Sequence, residues 1–109
     1  MTNKDNGLEY LVLQAVANDF EEFEMIVGEI AKWTNGYQAA PDRRQIEQAL
    51  MTAIAGEDIK AYEPREGHRQ LVATQADPRK IHSLWFYITE QGKSRMQRLE
   101  ALEHEAESK

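Results

Sequence analysis

The stretch Leu84–Leu102 reads LWFYITEQGKSRMQRLEAL. Its first five residues, Leu84, Trp85, Phe86, Tyr87 and Ile88, are aromatic or branched and favour an extended strand. Thr89 ends the run and suits a helix N-cap, because its hydroxyl can accept a bond from a free backbone N–H two or three residues on. Glu90 and Gln91 follow where the helix dipole favours negative and polar groups. Met96, Leu99 and Leu102 then recur at helical spacing on one side. The stretch therefore predicts a strand passing through Thr89 into an amphipathic helix over residues 89–106.

Working backwards from it, the 109 residues have room for one small domain with a single core, residues 1–109. A hydrophobic content of 41 % supports a globular core. The chain has no cysteine, so neither a disulfide framework nor thiolate chemistry is available, in keeping with a reducing cytoplasm. No apolar run reaches the length of a membrane span, and Met1–Asp5 does not lead into a signal-peptide core. The expectation is a soluble cytoplasmic protein with no membrane partner.

The net charge of −6 counts against nucleic-acid binding, but its distribution is uneven. Residues 1–31 hold one Lys and seven acids, residues 32–98 eleven cations and eight acids, and residues 99–109 one Lys and four Glu. The middle is basic and both ends are acidic.

Residues 1–7 are polar and read as a disordered tail. Leu8, Leu11, Val12, Ala15 and Val16 follow the template of an amphipathic helix over 8–17, with Tyr10, Leu13 and Ala17 as a second apolar flank. Asp19 and Glu22 suggest a capping box for a helix over 20–33, whose buried stripe is Phe23, Ile26, Val27 and Ile30. The glutamates on its other faces read as a solvated surface, since a metal site needs carboxylates converging from several elements. Thr34-Asn35-Gly36 is a turn signal. Pro41 and Asp42 then open a third helix over 42–55, with Ile46, Ala49, Leu50, Ala53 and Ile54 on its core face. At 100° per residue the opposite side centres on Gln48, flanked by Arg44, Met51 and Thr52, with Gln45 at the margin. Ile59–Glu63 reads as a strand, Leu71–Thr74 as a further strand segment, and Asp77-Pro78 as a turn. The order is helix, helix, helix, strand, basic hairpin, strand, helix. It predicts a mainly α chain with a small antiparallel β-hairpin, an α+β winged helix-turn-helix with its wing over 59–88.

Tyr87-Ile88-Thr89-Glu90-Gln91-Gly92-Lys93-Ser94-Arg95-Met96 resembles the Y-x-[LI]-T-x-x-G-x-x-x-[LM] segment of bacterial winged-helix regulators of the PadR and MarR type. There it is the last wing strand running into the following helix. Ile46-x-x-Ala49-Leu50-x-x-Ala53-Ile54-x-x-x-Asp58-Ile59 resembles their recognition helix and first wing strand. Two features depart from those families: about eight residues join the second and third helices, and Asp58 stands where a Gly is usual before the strand. The resemblance implies a DNA-binding transcriptional regulator whose third helix enters the major groove while the hairpin contacts backbone or minor groove.

On that third helix Arg43, Arg44, Gln45, Gln48 and Thr52 are the candidate DNA contacts. Arg can grip guanine bidentately, Gln can pair with adenine, and a Thr methyl can touch thymine. Arg65, Arg69, Arg79 and Lys80 in the wing are the candidate phosphate contacts. His68, His82 and His104 lack metal-ligand spacing, and no nucleophile elbow, phosphate loop or dinucleotide fingerprint occurs. The chain is therefore expected to be no enzyme and to need no cofactor or metal. Surplus apolar residues on the first helix, with Met96, Leu99 and Leu102, predict a homodimer through Leu8–Ala17 and the C-terminal helix. A different class fits the acidic ends and the pI near 5.0: a winged-helix protein–protein interaction module without DNA binding.

Overall fold

The computed structural model describes residues 3–34 and 41–107. They form α1 (Asn3–Ala15), β1 (Glu21–Glu22), α2 (Phe23–Trp33), α3 (Arg43–Ala55), β2 (Ile59–Glu63), β3 (Val72–Thr74), a 3₁₀ helix (Pro78–Ser83), β4 (Trp85–Ile88) and α4 (Glu90–Glu107). The class is α+β: mostly helical, with a four-stranded antiparallel sheet in the order β1-β4-β2-β3.

The first helix starts earlier than its apolar pattern, at Asn3 rather than Leu8, and residues 3–7 are helical rather than a tail. No proline or β-branched residue interrupts Asn3–Gly7, so the backbone ladder extends beyond the part that packs. At the other end the helix stops at Ala15. Val16 and Ala17 donate to Leu13 and Gln14, i→i−3 bonds that tighten the last turn.

Asp19 does not cap α2. Its carboxylate accepts from the Phe20 N–H at 2.8 Å, and Glu22 holds the N-cap position without a side-chain bond. The cause is tertiary: Glu21 and Glu22 pair with Phe86 and Trp85, so the two residues expected in the first helical turn form β1 instead. The true capping box lies one helix later. The Asp42 carboxylate accepts from the Gln45 N–H and the Gln45 side chain accepts from the Asp42 N–H, each at 2.9 Å. This satisfies two backbone donors at the start of α3. Of the loop signal before it, Thr34 is the C-cap of α2, and Asn35–Ala40 lies outside the described residues.

Residues 59–88 are more elaborate than one hairpin. β2 and β3 form an antiparallel pair, and the chain then crosses back through the 3₁₀ helix to lay β4 on the other side of β2. Asp77-Pro78 starts that helix: the Asp77 carboxylate accepts from the Arg79 N–H at 3.0 Å. Ile81 and Leu84 anchor the crossing in the core.

The core lies between the helices and one sheet face. Val12, Leu13, Val16, Phe23, Ile26, Ile30, Ile46, Leu50, Ile59, Ala61, Phe86 and Ile88 are buried there. Burying each of the larger side chains stabilises the fold by roughly 1.5–3 kcal/mol. Along β2 and β4 the alternate residues Lys60, Tyr62, Trp85 and Tyr87 lie on the other face, where Phe20 packs 5.0 Å from both Tyr62 and Tyr87. The apolar flanks of α1 are largely absorbed within the chain: Val12, Leu13, Ala15 and Val16 are buried and Leu8, Leu11 and Ala17 pack against the core. α1 and α4 pack against each other in one copy, leaving Leu102 57 % exposed near the end of α4.

The start of α4 is riveted to the α3–β2 turn. That turn uses the left-handed region at Glu57 (φ 65°) and closes with the Asp58 N–H on the Ala53 carbonyl at 2.9 Å. The Thr89 hydroxyl accepts from the Gly92 N–H at 3.0 Å, as its place predicts, and donates to the Glu57 carbonyl at 2.7 Å. Gln91 Nε2 donates to the Gly56 carbonyl at 2.6 Å and to Asp58 Oδ1 at 2.9 Å. Asp58 is the one buried polar or charged residue among the described residues, at 6 % exposure, and Arg95 lies 3.6 Å from its second carboxylate oxygen. Arg95 also donates to Glu9 on α1. The orientation of α3 is thereby tied to both flanking helices.

Candidate nucleic-acid interface

Packing dictates what α3 can offer. Ile46, Leu50 and Ala53 point into the core, and the helical repeat turns Arg44, Gln45, Gln48 and Thr52 to solvent. Arg44 and Gln48 are exposed and make no side-chain hydrogen bond among the described residues. Gln45 is half committed, because its amide oxygen serves the capping box and leaves its amide N–H₂ as a donor. Gln45, Gln48 and Thr52 line a cleft of about 400 Å³ whose other walls include Leu8 and Glu9 of α1 and Arg95 of α4. These three side chains thus flank a groove beside α1, and Arg44 stands off from it.

Arg43 is placed differently. Its Nη1 donates to Glu24 Oε1 of α2 at 2.8 Å and its Nη2 to Glu24 Oε2. The guanidinium lies 5.5 Å from the centre of the Phe23 ring. Hydrogen bonding from Arg43 holds the Glu24 carboxyl below its ordinary range, with His82 adding to the effect. His82 Nδ1 lies 3.2 Å from the same Glu24 oxygen that Arg43 Nη2 reaches, and its ring meets Phe23 edge-on at 5.5 Å. Glu24 and His82 were not among the sequence candidates. No local pattern links positions 24, 43 and 82, which only the fold brings together.

The four cations expected on a wing do not form one loop. Arg65 and Arg69 lie in the connection between β2 and β3, whereas Arg79 and Lys80 lie on the 3₁₀ helix. Arg65 donates to Glu63 at 3.2 Å. Arg79 donates to both carboxylate oxygens of Asp77, at 3.3 and 3.2 Å. The carboxyls answer: Glu63 is held low by a hydrogen bond from Thr74 and then by Arg65, and Asp77 by hydrogen bonds from Arg79. Arg69 and Lys80 are exposed and form no ion pair among the described residues, although the charge of Lys80 also helps to hold the Glu63 and Asp77 carboxyls low. Of the nine candidates, then, Arg44, Gln48, Thr52 and Arg69 have uncommitted side chains among the described residues, Lys80 acts on two carboxylates without pairing, Gln45 is shared, and Arg43, Arg65 and Arg79 already hold a carboxylate.

No helix among the described residues is long and apolar enough to cross a membrane. Comparison of the chain with protein-family models, curated proteins and solved structures returned no match.

Proposed function

We propose that the chain is a winged-helix module that binds duplex DNA as a cytoplasmic transcriptional regulator, with α3 in the major groove. The observation that supports this most is the division of α3 itself: Ile46, Leu50 and Ala53 are buried while Arg44 and Gln48 project, uncommitted, from the other side. The order of elements and the β1-β4-β2 arrangement support the same reading, since they set α3 beside a sheet extended by the Arg65–Arg69 connection. In this reading Arg44 and Gln48 read bases, and Arg69 and Lys80 contact phosphates. Two copies would associate through the far end of α4, where Leu102 is exposed, since the apolar flanks of α1 are largely covered within the chain.

Substitution separates the two roles. Arg44→Ala or Gln48→Ala should cost about 1–3 kcal/mol on a selected site and relax the preference at particular base pairs. Arg69→Ala and Lys80→Ala should weaken binding to all sequences alike, each lowering the log–log salt slope by roughly 0.9. Equal losses on selected and random duplexes for all four variants would contradict a reading role for α3.

A second reading, an interaction module without DNA binding, is favoured by one specific observation. Arg43, Arg65 and Arg79 each hold a carboxylate, which removes charge from the surface that DNA would need. In that reading the same α3 face meets a protein.

A further inference from the structure

Glu24 gathers side-chain nitrogens from two other elements. From α2 it accepts from both terminal nitrogens of Arg43, the first residue of α3, and stands 3.2 Å from His82 of the 3₁₀ helix. An arginine held end-on in this way has turned its fork toward the carboxylate. The same fork would grip a phosphate or the edge of a guanine. Arg43 and Glu24 are both more than half exposed, at 54 % and 57 % of their side chains. A pair that open to water is weak and exchanges readily. Phe23, with the guanidinium over its ring and the His82 ring edge-on to it, belongs to the core, so Arg43 rests on a fixed floor whichever anion it faces.

We propose that Glu24 is an internal latch on the DNA-binding face: its carboxylate holds Arg43 in the place that a duplex phosphate would otherwise take. The inference rests on the duplex-binding reading and adds a regulatory residue to it. Arg43 is a binding residue in waiting, and Glu24 sets how much of its charge the duplex meets. A simple brace between α2 and α3 would behave differently, because removing a brace loosens α3 and weakens binding.

The test uses the full chain and a random-sequence duplex, followed by fluorescence anisotropy across a salt series. Wild type is compared with Glu24→Gln, Arg43→Ala, the double variant, and Glu29→Gln. The last removes one negative charge from the same helix at a residue whose one cation among the described residues is Lys32, 4.0 Å away. Glu24→Gln is expected to bind at least about threefold more tightly at low salt, with a log–log slope steeper by roughly 0.9, the signature of one added phosphate contact. Arg43→Ala should cost more in the Glu24→Gln background than in wild type, and Glu29→Gln should gain less than Glu24→Gln. Unchanged or weaker binding by Glu24→Gln overturns the latch, as does a gain matched by Glu29→Gln or one that survives Arg43→Ala. If thermal unfolding shows Glu24→Gln to be misfolded, Glu24→Ala is read by the same criteria. If wild type and every variant fail to bind duplex, the duplex reading itself falls and takes the latch with it, whereas failure of the latch alone leaves wild-type binding intact.

Discussion

A Cβ placed on Gly92 would stand 2.1 Å from the carbonyl oxygen of Asp58 and 2.7 Å from Cγ1 of Ile88. The first turn of α4 is pressed onto the backbone of the α3–β2 turn, and the Thr89 N–H on that same Asp58 carbonyl, at 3.0 Å, helps to hold it there. Neither obstacle can move cheaply, because one is backbone and the other a buried core side chain. Gly92→Ala is therefore expected to destabilise the fold by about 3 kcal/mol or more, at the upper end of overpacking effects. Denaturant unfolding measures it; a loss below about 1 kcal/mol would mean that the contact is looser than described.

Thr89 holds the same junction with its hydroxyl, accepting from Gly92 and donating to Glu57. Thr89→Ala should cost about 1–2 kcal/mol, a lost cap plus a lost bond across the turn. Thr89→Ser keeps both bonds and should recover most of that stability. Equal losses for the two variants would show that the methyl group, and not the hydroxyl, matters.

Two glutamates at the start of α2, Glu21 just before it and Glu24 in its first turn, should respond to acid in opposite ways. Arg43 holds Glu24 below its ordinary value of 4.5. A depressed carboxyl contributes stability that is present above that value and lost as pH falls through the lower folded one. The small advantage of wild type over Glu24→Gln should therefore disappear on acidification below about pH 4.5. Burial, then Asp19 and Glu29, push Glu21 up from the same starting value. Its ionised form opposes folding at neutral pH, so Glu21→Gln should raise the melting temperature at pH 7 and lose that gain as pH falls and the native carboxyl protonates. Melting curves across the acid range check both signs, and parallel curves for all three proteins would contradict them.

Local chemistry made part of this legible before the structure. β2 lies between the Gly56-Glu57-Asp58 turn and Pro64, which cannot donate to a ladder, and Thr89 caps α4 because a hydroxyl ahead of an acidic turn has a local use. Elements set by distant partners were not legible. β1 is two residues long and exists because β4 lies beside it, so Asp19 and Glu22 resembled a helix start. Asp77-Pro78 carries the chemistry of a turn, and only the need to carry the chain back across the sheet, with Ile81 buried, extends it into a 3₁₀ helix. The site divides the same way. Helical spacing placed Arg44 and Gln48 on the face away from the core, whereas the carboxylate on Arg43 comes from another helix that no spacing rule reaches.

The most direct measurement is the affinity of the intact wild-type chain for a random-sequence duplex as a function of salt, starting at low ionic strength where attraction is least screened. Duplex binding with Arg69 and Lys80 on phosphates predicts a straight decline of log K with log salt, at roughly −0.9 per phosphate contact, or about −2 in all. No binding at low salt, or binding indifferent to salt, would contradict it and leave the α3 face to a protein partner.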